Sequence, residues 1–154
     1  SLAYLVALPL ACSPHGTLGA FALFMTEEWT CGLTLAYMFQ VAHVSTAAAF
    51  PEAKDGKVAM GWATAQCATT INFAPGNWFW THVSGGLNHQ VEHHLFPGIC
   101  HMHYPMLAPI VRETCEEFGV PYLSYPTFWG AFMAHWEHMH KVGQPIKVPT
   151  LGDA

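Results

Sequence analysis

Two long apolar runs in the first third of the chain do most to constrain its fold. Leu2 to Met25 and Trp29 to Phe50 are each long enough for a membrane-spanning helix, which needs roughly 20 apolar residues. The first run is interrupted by Ser13-Pro14-His15-Gly16, whereas the second contains no charged residue. Between them, Thr26-Glu27-Glu28 is too short for anything but a turn, so the pattern predicts a transmembrane hairpin over residues 1–50. The competing reading, two buried core helices of a soluble protein, runs against their length. Only 10% of the 154 residues are charged, whereas soluble domains average about 25%.

Charge placement predicts an orientation. Lys54, Lys57, Arg112, Lys141 and Lys147 all follow the second run, and the intervening turn is acidic. The positive-inside tendency then places residues 51–154 in the cytosol, as a helical cap on an all-α, integral membrane, multi-pass protein. The net charge of −5 and the lack of a basic stripe exclude nucleic acid as a partner. Ser1 opens inside an apolar run with neither an initiator methionine nor a basic segment, which fails as a signal peptide. The expectation is a C-terminal fragment of a longer protein. Cys12, Cys31, Cys67, Cys100 and Cys115 are odd in number and never spaced C-x-x-C. They read as reduced, packing thiols rather than a disulfide framework or a thiolate zinc site.

Past Pro51 the chain becomes punctuated. Val58 to Ile71 is expected as a helix lying against the membrane, and Asn72-Phe73-Ala74-Pro75-Gly76-Asn77 carries turn chemistry. Trp78-Phe79-Trp80 suits either the membrane–water boundary or an ordinary core. Ser84-Gly85-Gly86-Leu87 permits close backbone packing. Pro105 to Phe118 forms a helix, with proline at its start and Gly119 and Pro121 at its end. Its expected apolar face is Met106, Leu107, Ile110, Val111, Cys115 and Phe118, with Arg112 and Glu116 paired on the outside. A last helix is expected over Thr127 to His140.

Chemistry concentrates in Gln90-Val91-Glu92-His93-His94, followed at once by Leu95-Phe96-Pro97. On a helix, positions 90, 93 and 94 return to one face, placing two imidazoles and an amide together. Imidazole nitrogens suit iron, zinc or copper. A chance pairing in a chain with eleven histidines is the bland alternative. His43 sits inside the second apolar run, where an ionisable side chain calls for a partner. Counting from Trp29, fourteen residues of helix carry it roughly 21 Å toward the cytosolic side, where His93 and His94 are expected. His43, Gln90, His93 and His94 are therefore the candidate metal ligands.

Other groups rank lower. Gln40 stands one turn before His43 and could reach the site or hold a water there. His89 is an outside candidate for orienting a ligand, or is solvated. Glu92 projects about 100° away from His93 and either orients a neighbour or faces water. His101 and His103 lie in a loop; His135, His138 and His140 mark a helix face; His15 and His82 show no partner in the sequence. There is no G-x-S-x-G elbow, glycine-rich phosphate loop, H-E-x-x-H or dinucleotide fingerprint. Any enzymatic activity must therefore pass through the metal site or through parts not in this chain.

The string Asn72-Phe73-Ala74-Pro75-Gly76, then Trp78-Phe79-Trp80-Thr81, then Gly85-Gly86-Leu87-Asn88-His89-Gln90-Val91-Glu92-His93-His94-Leu95-Phe96-Pro97, closely resembles the C-terminal part of front-end fatty acid desaturases. In that family the third histidine box reads Q-x-E-H-H-L-F-P, which Gln90, Glu92, His93 and His94 match. The segment Phe39 to Val44 resembles the family's additional histidine in its fourth transmembrane helix. The likeness covers nearly the whole chain. It implies a membrane enzyme of the endoplasmic reticulum, with two iron ions reduced by electrons from cytochrome b5 and its reductase. The implied reaction is oxygen-dependent insertion of a cis double bond into a polyunsaturated fatty acyl chain, carried as acyl-CoA or as a membrane lipid. The family's two earlier boxes, H-D-x-x-H and H-x-x-H-H, and its H-P-G-G haem segment are absent here, so the resemblance implies part of a site that is inactive alone. A related di-iron hydroxylase, a sphingolipid desaturase and a non-enzymatic histidine-rich metal-binding protein are the rival readings.

Overall fold

The computed structural model describes residues 2–145; Ser1 and residues 146–154, with Lys147 among them, lie outside the described residues. The chain divides into two compact units, residues 1–37 and 38–154. The first holds α1 (Leu2–Cys12) and most of α2 (Gly16–His43). The break between these helices falls at Ser13-Pro14-His15, where Ser13 N–H closes α1 on the Pro9 carbonyl at 2.9 Å. Gly16 takes φ +69°, a conformation that favours glycine.

This corrects the expected hairpin. Thr26-Glu27-Glu28 is not a turn but the middle of a continuous 28-residue helix. Glutamate is a good helix former, and the segment lacks any Gly or Pro to break it. The Thr26 hydroxyl donates to the Ala22 carbonyl at 2.8 Å, and Thr30 and Thr34 repeat the pattern at 2.7 Å each. The polar side chains are thus satisfied within the helix itself. Among the described residues, no helix is long and apolar enough to cross a membrane, with Glu27 and Glu28 at mid-helix. Leu18, Phe21, Leu23, Trp29 and Leu33 nevertheless leave their side chains uncovered.

The second unit begins with the last turns of α2, which ends at His43 rather than Phe50. The terminal carbonyls of a helix need outside donors. Here Ile71 N–H donates to the Ala42 carbonyl at 3.0 Å, and the His135 ring nitrogen Nδ1 lies 2.6 Å from the Val44 carbonyl. The other elements are α3 (Trp62–Thr69), β1 (Asn72–Phe73), α4 (Trp78–Val83) and α5 (Gln90–Leu95). A 3-10 turn (His101–His103), α6 (Tyr104–Glu117), β2 (Ser124–Tyr125) and α7 (Phe128–Val142) complete the unit. The fold is mostly helical, but not all-α. β1 and β2 form a parallel pair, with Asn72 opposite Ser124 and Phe73 opposite Tyr125.

Two apolar clusters hold this unit. Met38, Val41 and Ala42 of α2 pack with Phe73, Ala74 and Ala131, and Trp80, Phe128 and Phe132 close around them. Trp80 of the aromatic triplet is thus a core residue, while Trp78 is 72% exposed. The second cluster joins Cys67 of α3, Val91 of α5, and Val111 and Cys115 of α6. The buried face of α6 is Tyr104, Ala108, Val111 and Cys115, rotated from the expected one; Met106, Ile110 and Phe118 face outward. Arg112 lies over the Tyr122 ring at 5.2 Å rather than in the expected pair with Glu116. The helix ends match expectation: Gly119 takes φ +64° after α6, and Thr127 caps α7 by accepting from Gly130 N–H at 3.1 Å.

Candidate metal centre

The histidine box is a helix of only six residues, too short to be stable by itself. Its N-cap residue, His89, offers no side-chain cap. The free amide of Val91 is instead taken by Asn72 Oδ1 at 2.9 Å, from 19 residues away in β1. Asn72 Nδ2 donates to Glu92 Oε2 at 2.7 Å and lies 2.8 Å from the Tyr122 hydroxyl. Tyr122 donates to Glu92 Oε1 at 2.9 Å. Burial first, then the Glu92 charge, raises the Tyr122 hydroxyl above its usual range. Glu92 does not face water. It is fully buried and ties the box helix to β1 and to the segment before β2.

His89 is not solvated either. It is fully buried, with Nδ1 3.7 Å from Glu92 Oε2 and, among the described residues, no hydrogen-bond partner for either ring nitrogen. Of the two sequence readings of His89, the solvated one fails; Gly85 and Gly86 turn the chain shortly before it. Both take positive φ, +61° and +84°, and a Cβ at Gly86 would overlap that of His101.

Three of the four candidate ligands come together. Gln90 Nε2 lies 2.9 Å from His43 Nε2 and 3.3 Å from His94 Nε2. The His43 and His94 rings are 4.9 Å apart, centre to centre. An amide NH₂ has two hydrogens, one for each imidazole lone pair. His93 stands beside this group, its ring 5.7 Å from that of His94 and nearly perpendicular. Its Nδ1 turns toward the Tyr104 hydroxyl at 3.4 Å, so it does not share the Gln90–His94 face. Gln40, the residue one turn before His43, is exposed.

One contact lies outside the expected set. Gln66 of α3 places Oε1 2.7 Å from His94 Nδ1. Nothing local marks Gln66 in the sequence, since its partner is 28 residues away. Burial, then the neighbouring His43 and His93, lowers His94 to about 4, so it is a neutral imidazole at neutral pH.

The donor set fits a transition metal. His43 and His94 both turn Nε2 toward the Gln90 amide, and a metal held there would need those nitrogens unprotonated. Gln90 Oε1 is buried with no partner among the described residues, so rotation of the amide would bring an oxygen ligand to the same place. Among the described residues, no three His, Cys, Asp or Glu side chains converge on one point. The third donor here is an amide. Beside the cluster, an apolar cavity of about 490 Å³ is bordered by Cys67, Leu95, Phe96, Val111, Cys115 and Phe118.

Residues 1–126 match the profile of the fatty acid desaturase family. The chain belongs to that family. It is 54% identical over 140 residues to an acyl-lipid (8-3)-desaturase of Physcomitrium patens, covering 91% of this chain and 29% of that protein. It is 42% identical over 148 residues to an sn-1 linoleoyl-lipid 6-desaturase of Synechocystis, covering 93% and 40%. A Delta(5) fatty acid desaturase A of Dictyostelium discoideum is 38% identical over 134 residues, covering 84% and 29%. The chain therefore spans between 29% and 40% of the length of these relatives. No solved structure matches it. Desaturases of this family are membrane-associated and generally depend on two irons, which accords with the nitrogen-rich cluster.

Proposed function

We propose that this chain supplies His43, Gln90, His93 and His94 to the di-iron site of an oxygen-dependent acyl desaturase acting on polyunsaturated fatty acyl chains. Residues 1–154 are read as the C-terminal part of its desaturase domain. The observation that carries the reading is the meeting of His43 Nε2 and His94 Nε2 on the Gln90 amide. Iron held there would supply oxygen activation strong enough to remove hydrogen from an unactivated carbon.

The chain's own residues do the rest. His43 at the end of α2 and His94 on α5 bring neutral nitrogens from two separate elements. Asn72 and Glu92 hold α5 in register from beneath. The apolar cavity bordered by Leu95 and Phe96, which follow His94 in the chain, offers space for part of an acyl chain. Electrons would come from cytochrome b5 and its reductase, and the substrate would be acyl-CoA or acyl-lipid. The uncovered Leu18, Phe21, Leu23 and Leu33 support attachment to a lipid surface; the membrane proposed is the endoplasmic reticulum, with residues 51–154 toward the cytosol. The desaturase names of the relatives favour this reading over a hydroxylase or a non-enzymatic metal-binding protein.

The test is expression of the intact protein in yeast fed defined polyunsaturated fatty acids, with products located by gas chromatography–mass spectrometry and iron measured on purified protein. The His43→Ala, His93→Ala and His94→Ala variants are expected to lose both product and iron. Wild-type iron and product in all three would overturn the assignment.

A further inference from the structure

We infer that Gln66 is a positioning residue for His94, fixing which ring nitrogen is free and where it points; the inference rests on the metal-site reading above. Gln66 Oε1 can only accept, so at 2.7 Å it accepts a hydrogen bond from the N–H at His94 Nδ1. The proton is then committed to Nδ1, and Nε2 carries the lone pair. That lone pair faces Gln90 Nε2 at 3.3 Å, where His43 Nε2 also arrives. The opposite tautomer would put a hydrogen where a metal must bind.

The contact is held by the core and not only by the two side chains. Cys67, next to Gln66, packs in one buried cluster with Val91 of α5 and with Val111 and Cys115 of α6. Cys67 and Cys115 are 2% and 6% exposed, with their sulfurs 3.9 Å apart. Helices α3 and α5 are therefore fixed against each other, and the Gln66–His94 separation is fixed with them. His93 has a looser counterpart, its Nδ1 lying 3.4 Å from the Tyr104 hydroxyl, which donates to the Phe96 carbonyl at 3.5 Å. Partners on the far nitrogen of a ligating imidazole typically account for 10- to 100-fold in metal affinity.

The test measures Fe(II) affinity by chelator competition, and the d–d absorption of added Co(II), on the intact protein purified in detergent. Gln66→Leu removes the acceptor; Gln66→Glu keeps an acceptor at the same reach. Gln66→Leu is expected to bind Fe(II) about 10- to 100-fold more weakly with an altered Co(II) spectrum, and Gln66→Glu to bind within a few-fold of wild type. Wild-type affinity and spectrum in Gln66→Leu would overturn the role of Gln66 while leaving the metal site standing. So would an equal loss in Gln66→Glu. Should Gln66→Leu fail to fold, Gln66→Asn withdraws the amide by one methylene and carries the same expectation, and wild-type affinity there overturns the inference. Failure of the wild-type protein to bind either metal would overturn the metal-site reading itself.

Discussion

Asn72 Nδ2 lies 2.7 Å from Glu92 Oε2, joining a two-residue strand to a six-residue helix across 20 positions of sequence. Tyr122 closes the arrangement by donating to the other carboxylate oxygen at 2.9 Å. A buried carboxylate held by two donors stabilises the fold only while both donors remain. Glu92→Ala, which strands those donors, is expected to cost about 3 kcal/mol. Tyr122→Phe leaves Asn72 in place and is expected to cost about 1 kcal/mol. Denaturant unfolding of the two variants checks the order. Equal midpoints for Glu92→Ala and wild type would remove Glu92 from the framework.

Gly86→Ala is expected to destabilise by about 2 kcal/mol or more, because a side chain there is both strained and obstructed. Its φ is +84°, and the added carbon would meet the Cβ of His101 and come within 3.2 Å of the Tyr104 ring. Gly85→Ala, strained alike at φ +61° but with open space around it, should lose less. Thermal unfolding of the pair separates strain from collision.

The thiols should divide sharply. Burial, then the neighbouring Cys115, pushes Cys67 up to about 12 from 9.0. The fold thus favours the neutral thiol; the stability it gains from Cys67 is complete below pH 9 and is lost as pH rises toward 12. At pH 8 the thiolate fraction is about one in ten thousand, and the thiolate is the reactive form. Iodoacetamide at pH 8 is expected to alkylate the exposed Cys100 while sparing Cys67 and Cys115. Peptide mass spectrometry reads this directly, and labelling of Cys67 at the rate of Cys100 would contradict it.

Thr127→Ala is expected to destabilise by about 1 kcal/mol through loss of the cap on α7. Thr127→Ser keeps an oxygen for the Gly130 amide, now bonded at 3.1 Å, and should recover most of it. Comparison of the two melting temperatures is sufficient.

What the sequence made legible was local chemistry. Pro105, Gly119 and Thr127 announced the ends of α6 and α7, because caps and breakers act on their own neighbourhoods. The spacing at 90, 93 and 94 predicted one shared face; Gln90 and His94 do meet, with His43 as their partner, but His93 turns toward Tyr104. Thr26-Glu27-Glu28 misled because polarity resembles a turn while its residues continue a helix. The break sits instead at Ser13-Pro14-His15-Gly16, the interruption visible in the first apolar run. β1 and β2 are two residues each, too short for any alternation to register. Gln66 had no local sign at all, and His89 and Glu92 could be read only as orienting a neighbour or facing water. Their meaning depends on partners brought near only by the packing of α3, α5 and α6, and no local pattern encodes that.

Asn72 holds the Val91 amide with its side chain while its own amide donates to Leu123 and the next residues pair with β2. The box helix therefore has no independent way to fray. In amide exchange, Val91, Asn72 and Ala74 should lose their protection in a single step rather than in sequence. On that expectation the cluster is carried whole or not at all, and a destabilising change in β2, which reaches the box helix through β1, would be felt as a loss of ligand geometry at His94.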